Sequence, residues 1–144
     1  MRMEQSKEIE RDLETFYRHY IEVFNREDVD EFLNCFARPY AVVSNERGLS
    51  VVQKEADHAS NHCRIMTALK NRGWVRSDIV RITAWPLDQK VGLILADVTR
   101  RKSDGSVLEE IRACYELHRE GDFWKIVSIT EVKPPFLGPG AIPR

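Results

Sequence analysis

Apolar residues at Ile9, Leu13, Phe16, Tyr17, Tyr20 and Phe24 recur at the spacing of one helix face and predict a helix over residues 6–24. Asn25-Arg26-Glu27-Asp28 ends it, and Asp28 can cap a short second helix bearing Val29, Phe32, Leu33 and Phe36. That helix stops at Arg38-Pro39, because proline disfavours helical geometry in the residue before it. Two β-type runs, 40–44 and 49–52, flank a turn at Asn45-Glu46-Arg47-Gly48. Helical spacing returns over 53–72, with Ala56, Ala59, Cys63, Met66 and Leu69 on one face, and Gly73 supplies the stop. The rest reads as four strands, 74–85, 91–101, 107–117 and 123–132, parted by turns at Pro86-Leu87-Asp88-Gln89, Ser103-Asp104-Gly105-Ser106 and Arg119-Glu120-Gly121-Asp122. The proline- and glycine-rich end, 134–144, is no regular element and reads as an arm or a loose end beyond a single domain over 1–133.

Hairpin geometry carries the pattern further. A two-residue turn at Asp104-Gly105 sets Asp97 opposite Arg112, Leu93 opposite Glu116 and Thr99 opposite Glu110 on one face. The other face then holds Ile94 with Tyr115, Ala96 with Ala113, and Val98 with Ile111. A turn at Glu120-Gly121 would set Tyr115 opposite Ile126, Leu117 opposite Trp124 and Glu116 opposite Lys125. The apolar face is expected to be concave, against the helices, which leaves Asp97 outside in a cross-strand salt bridge. In the preceding strand Val80, Ile82 and Ala84 form the inward set, with Arg81 and Thr83 outside. A one-residue slip at Pro86 would reverse these and place Arg81 in the interior.

The 144 residues fit one domain, and 42% apolar with 31% charged residues is the profile of a soluble globule. A net charge of −1 offers no global field for phosphate backbones or anionic lipid, so neither nucleic acid nor membrane is an expected partner. The run Arg100-Arg101-Lys102 reads as a solvated hairpin end. The first residues show no apolar signal segment, and no run approaches the ~18 apolar residues of a membrane helix. Cys35, Cys63 and Cys114 are odd in number and widely spaced, reading as reduced, mostly buried thiols of a cytoplasmic protein.

The order helix, short helix, hairpin, long helix and strand meander resembles the nuclear-transport-factor-2-like superfamily. The stretch from Tyr20 to Asp30 looks like its first-to-second helix junction, and Phe36-Ala37-Arg38-Pro39-Tyr40 is similar to its entry into the first strand. Asp104-Gly105-Ser106-Val107, with the stretch from Tyr115 to Ile126, resembles the closing hairpins of the SnoaL-like branch. The likeness covers Ile9 to about Val132. It implies an α+β cone, three N-terminal helices packed on a strongly curved antiparallel sheet, enclosing a cavity. The superfamily spans isomerases, dehydratases, cyclases, hydrolases and non-catalytic members, so membership implies no one reaction.

Tyr20 falls where the related ketosteroid isomerases keep the phenol that hydrogen-bonds an enolate oxygen. Their two acids have no counterpart, since Ser44 and Ala113 stand at those positions. Scytalone dehydratases use strand-borne histidines, whereas His118 lies at a strand end. His58 and His62 share the i, i+4 spacing of metal ligands without a third, so neither a metal nor any other cofactor is expected. On the helical wheel His62 borders the apolar face, a rim group suited to proton transfer, while His58 turns toward solvent. Trp74 and Trp85, near strand ends, could guard a mouth or a partner surface.

Tyr20 and His62 are thus the catalytic candidates, and Tyr20, Phe24, Tyr40, His62, Met66, Tyr115, Trp124 and Ser128 the expected pocket lining. Two functions remain open. One is a small-molecule-binding cone with a flat hydrophobic ligand and isomerase, cyclase or hydrolase-like chemistry, homodimeric through its convex sheet. The other is a non-catalytic dimerisation or protein-interaction module with a filled core, in which the Phe136-bearing arm clasps a partner.

Overall fold

The computed structural model describes residues 2–138. Helix α1 spans Arg2–Asn25, α2 Val29–Asn34 and α3 Glu55–Asn71. The strands are β1 Phe36–Ser44, β2 Gly48–Val52, β3 Trp74–Pro86, β4 Val91–Lys102, β5 Val107–Glu120 and β6 Phe123–Val132. Every predicted element is present, but α2 ends at Asn34 rather than at Arg38-Pro39, and Phe36 opens β1 instead of closing the helix. Asp28 caps α2 as expected, its Oδ1 accepting from the backbone N–H of Glu31 at 3.2 Å.

The strands form one curved sheet in the order β2-β1-β6-β5-β4-β3, with the helices on its concave side. The sheet is mixed rather than purely antiparallel, because β1 runs parallel to β6 while all other neighbours are antiparallel. No tight turn joins β1 to β6, so nothing in the local sequence fixes their relative direction.

Between β4 and β5 the predicted pairing is observed, Asp97 with Arg112 and Ile94 with Tyr115 included. It arises by another route. The Lys102 N–H bonds the Ser106 carbonyl at 2.9 Å, making a three-residue loop, and a bulge past Arg100 restores the expected register.

Between β5 and β6 the expected pairing is displaced. Gly121, at φ +62°, opens the two-residue loop, so Glu120 faces Phe123, Arg119 faces Trp124 and Leu117 faces Ile126. A hairpin loop of this length with glycine first needs positive φ there, which centres the turn one residue later than expected. A bulge between Glu116 and Leu117 then pairs Glu116 with Ser128, Tyr115 with Ile129 and Ala113 with Glu131. The inward set on β6 switches from Trp124 and Ile126 to Ile129 and Glu131.

In β3, Ile82 and Ala84 face inward opposite Ala96 and Ile94, as predicted, and Arg81 lies opposite Asp97 on the outer face. Val80 departs from the expected inward set. It sits in a bulge between Ile79 and Arg81 and is 65% exposed.

The core is aromatic. Tyr17, Tyr20, Phe24, Phe32, Phe36, Tyr40, Trp74, Tyr115 and Trp124 are all buried. Trp74 belongs to it rather than to a mouth, with its indole N–H donating to Ser77 Oγ at 3.1 Å.

On the outer face Arg112 grips Asp97 through two bonds, Nε to Oδ1 at 2.7 Å and Nη2 to Oδ2 at 3.0 Å. The guanidinium also donates to the Leu137 carbonyl at 3.3 Å and lies 4.8 Å from the Phe136 ring centre. Residues 134–138 therefore strap over their own sheet. The part of the predicted arm beyond Gly138 lies outside the described residues.

Both partners of this ion pair are largely buried, so removing one strands the other's charge. Asp97→Ala is expected to lower unfolding free energy by about 3 kcal/mol in urea titration.

Candidate functional site

Two clusters fill the interior. In the first, α1 places Tyr17 and Tyr20 one turn apart, and β5 brings Tyr115 to them. The Tyr17 and Tyr115 hydroxyls are 3.2 Å apart, and the Tyr20 ring centre is 5.7 Å from both other rings. Burial raises all three phenol pKa values, so they are neutral hydrogen-bond donors around neutral pH.

Beside the phenols lies a cavity of about 40 Å³, whose lining includes Ser77, Arg100 and Glu131. Arg100 is buried, not solvated as the sequence pattern suggested: it lies opposite Ser77 and Glu109 on the inner face. Its Nη1 donates to Glu109 Oε1 at 2.7 Å and lies 3.8 Å from Glu131 Oε1, while its buried Nε has no partner. Burial works against the Glu109 carboxylate, but its bonds to Arg100 and Arg72 prevail and hold its pKa below the ordinary value.

Glu131 is the residue that sequence reasoning missed. It lies between Ala113 and Ser44 in one row of the sheet, the two positions where the resemblance expected acids. A signal for it exists in the three-residue step from Ile126 to Ile129, across which the inward alternation changes phase within β6.

The second cluster sits under α3. His62 stacks on Phe32 with ring centres 3.8 Å apart, and His58 lies 4.6 Å from Phe36 and 4.7 Å from Tyr40. His58 does not turn toward solvent. It is fully buried, because α3 rotates both histidines inward with Met66 and Leu69. Since Arg38 Nη1 can only donate, at 3.3 Å, His58 Nδ1 accepts and the ring proton sits on Nε2. Burial, then the Arg38 charge and His62, push the His58 pKa down to about 4, and burial lowers that of His62.

The expected lining thus divides. Tyr20 and Tyr115 join the phenol cluster, and Phe24, Tyr40 and His62 join the histidine cluster, with Met66 buried on the inner side of α3. Trp124 is buried and lines an outer groove instead. Ser128 pairs with Glu116 and Ala41 on the opposite face of the sheet, put there by the change of phase in β6. Among the described residues no three His, Cys, Asp or Glu gather as a metal would require. The three cysteines are free thiols, but only Cys35 is buried: Cys114 is half-buried, and Cys63 is exposed because α3 turns its histidines inward instead. No helix of the described residues is long and apolar enough to cross a membrane.

This topology, with helices over a curved sheet and the interior closed by α3, defines the class of NTF2-like cone proteins. The chain belongs to the family of NTF2-like proteins designated DUF6841, whose model matches residues 7–134. An NTF2-like protein of unknown function from Pseudomonas putida KT2440 superposes with TM-score 0.73 at 11% identity, over 90% of this chain and 89% of the other. A ketosteroid isomerase-like protein from Erwinia carotovora atroseptica gives 0.61 at 12% identity, over 84% and 92%. A domain assigned as a calcium/calmodulin dependent protein kinase II association domain, from Xanthomonas campestris, gives 0.66 at 11% identity, over 88% and 89%. At these identities the likeness is one of fold. No curated protein matches the chain.

The buried neutral histidines make stability pH-dependent. A group whose folded pKa lies below its unfolded value binds more protons when unfolded, so stability falls as pH drops through the range between the two. For His58 that window runs from about 6.5 down to about 4. Urea midpoints measured across it should fall with pH, and His58→Leu should flatten the slope; an unchanged slope would remove His58 as the cause.

Proposed function

We propose that this protein binds a small molecule through an oxygen-bearing group presented to Tyr17, Tyr20 and Tyr115, with Glu131 as the facing carboxylate. The observation that carries this reading is the position of Glu131. A strand not expected to supply an acid delivers one between Ser44 and Ala113, beside three phenols held protonated. Neutral phenols lining a buried pocket can donate to an oxygen on which negative charge develops, and a nearby carboxylate can accept a proton. The arrangement suits isomerase- or cyclase-type proton transfer on a carbonyl compound. His62, stacked beneath α3, is a packing residue in this reading.

The cavity limits the ligand. About 40 Å³ is little more than one water's share of liquid volume, far below the ~300 Å³ at which drug-sized pockets begin. A flat hydrophobic molecule does not fit inside. A small polar head group does, its remainder passing the partly exposed Glu131 side chain toward solvent.

Native mass spectrometry of protein purified gently from its own host should show a reproducible added small mass. Tyr115→Phe or Glu131→Gln should reduce its retention roughly tenfold, the effect of losing a hydrogen bond to a charged or polarised group. Retention unchanged in both variants would refute the site.

A second reading, assembly through the outer sheet face, is favoured by a separate observation. Registers align Leu49, Val43, Thr130, Cys114, Leu95 and Thr83 in one row, and Val51, Ala41, Ser128, Glu116, Leu93 and Trp85 in the next. Two rows across six strands carry a single charge, and Leu49, Val43, Val51 and Trp85 are exposed. A continuous, largely apolar area of this kind marks interaction surfaces. In this reading two copies pair through that face, and Leu95→Arg at its centre should convert dimer to monomer in light scattering. A full chain that is monomeric at all concentrations would overturn it.

A further inference from the structure

A groove of about 750 Å³ runs between α1 and the β5–β6 hairpin, and none of its lining residues belongs to the phenol-lined cavity. Its size falls within the range of small-molecule sites. The floor is Trp124, buried and opposite Arg119 in the register. Phe16, half-buried on α1, lines it too, as does Phe123, which stands 70% exposed beside the Gly121-Asp122 turn. Three aromatic rings on one groove are a surface for a planar ligand.

The charges narrow the ligand class. Arg119 Nε is buried without a hydrogen-bond partner, an arrangement native proteins seldom leave unanswered. Asp12 and Asp122 line the same groove with no ion pair among the described residues. Of the other charged groups, Glu31 lies 3.6 Å from His19, and the Lys125 ammonium donates to the Asn34 carbonyl. Counting histidine as neutral, three carboxylates (Asp12, Glu31, Asp122) against two cations (Arg119, Lys125) leave a net −1. A simple anion would meet those carboxylates, and a simple cation would leave Arg119 unanswered. A ligand bearing both charges meets neither penalty.

We propose that this groove is a second ligand site, selective for a small aromatic zwitterion of the α-amino-acid class. Its carboxylate pairs with Arg119, its ammonium with Asp12 or Asp122, and its ring lies on Trp124, Phe16 and Phe123.

The test titrates the full chain by calorimetry with three probes of equal ring size: L-phenylalanine, phenethylamine and 3-phenylpropionate. L-phenylalanine is expected to bind about tenfold more tightly than either single-charge probe. Arg119→Gln should weaken L-phenylalanine and 3-phenylpropionate about tenfold and leave phenethylamine unchanged. Asp12→Asn combined with Asp122→Asn, both at exposed positions, should do the reverse, weakening the two amines only. Tyr115→Phe should alter none of these, which separates the groove from the interior site. Equal affinity for the three probes, no saturable binding of L-phenylalanine, or indifference to both sets of substitutions would overturn the proposal.

Discussion

Everything in this fold depends on how closely α1 approaches the sheet. At Gly92 a Cβ would come within 2.7 Å of Leu13 Cδ1, so a side chain at that position would have to displace a fully buried leucine. Close approach of this kind is set by packing at near-crystalline density, where a single methyl is felt. One turn further along α1 the same approach brings Tyr17, and then Tyr20, against Tyr115 on the sheet. The phenol cluster is a consequence of that contact. A helix standing further off would leave a larger cavity but no hydroxyl-to-hydroxyl bond.

The interior shows how a cone can be nearly full and still polar. Aromatic side chains supply most of the buried area, and each phenol or imidazole adds a polar atom that burial makes costly unless it is satisfied. Tyr17 and Tyr115 answer one another, and Arg38 answers one nitrogen of His58. The second nitrogens of His58 and His62 and the Nε of Arg100 have no partner. These unanswered groups sit on either side of the aromatic centre, one set under α3 and the other at the Glu131 end. The polar strain of the core is concentrated in these two places.

Much of this was legible in the chain. The helical stripe from Ile9 to Phe24, the Asp28 cap and the four-strand meander all follow from periodicity and turn residues, and the β4–β5 register from one Asp-Gly pair. What escaped were single-residue irregularities. The register was right at Asp97 because a longer loop and a bulge cancel. At Ser128 and Glu131 nothing cancels, and a strict two-residue alternation assigned the wrong member of β6 to the interior. His58 was misplaced because the inner face of α3 is not its apolar face: two histidines occupy positions where a helical wheel looks for aliphatic side chains. Arg100 was read from its charge, although its ion partner Glu109 lies directly across the hairpin and allows it to be buried.

The strap over Arg112 has a consequence for the area left open on the outer face. Because the Leu137 carbonyl is tied to a guanidinium in the middle of β5, residues 134–138 lie on the outer side of the sheet rather than at its edge. Arg112 stands two residues from Cys114 on the same face of β5, so the strap flanks the uncharged row from Leu49 to Thr83 and bounds it on one side. The strap and α1 therefore occupy opposite surfaces of the same domain, and a molecule covering one leaves the other free.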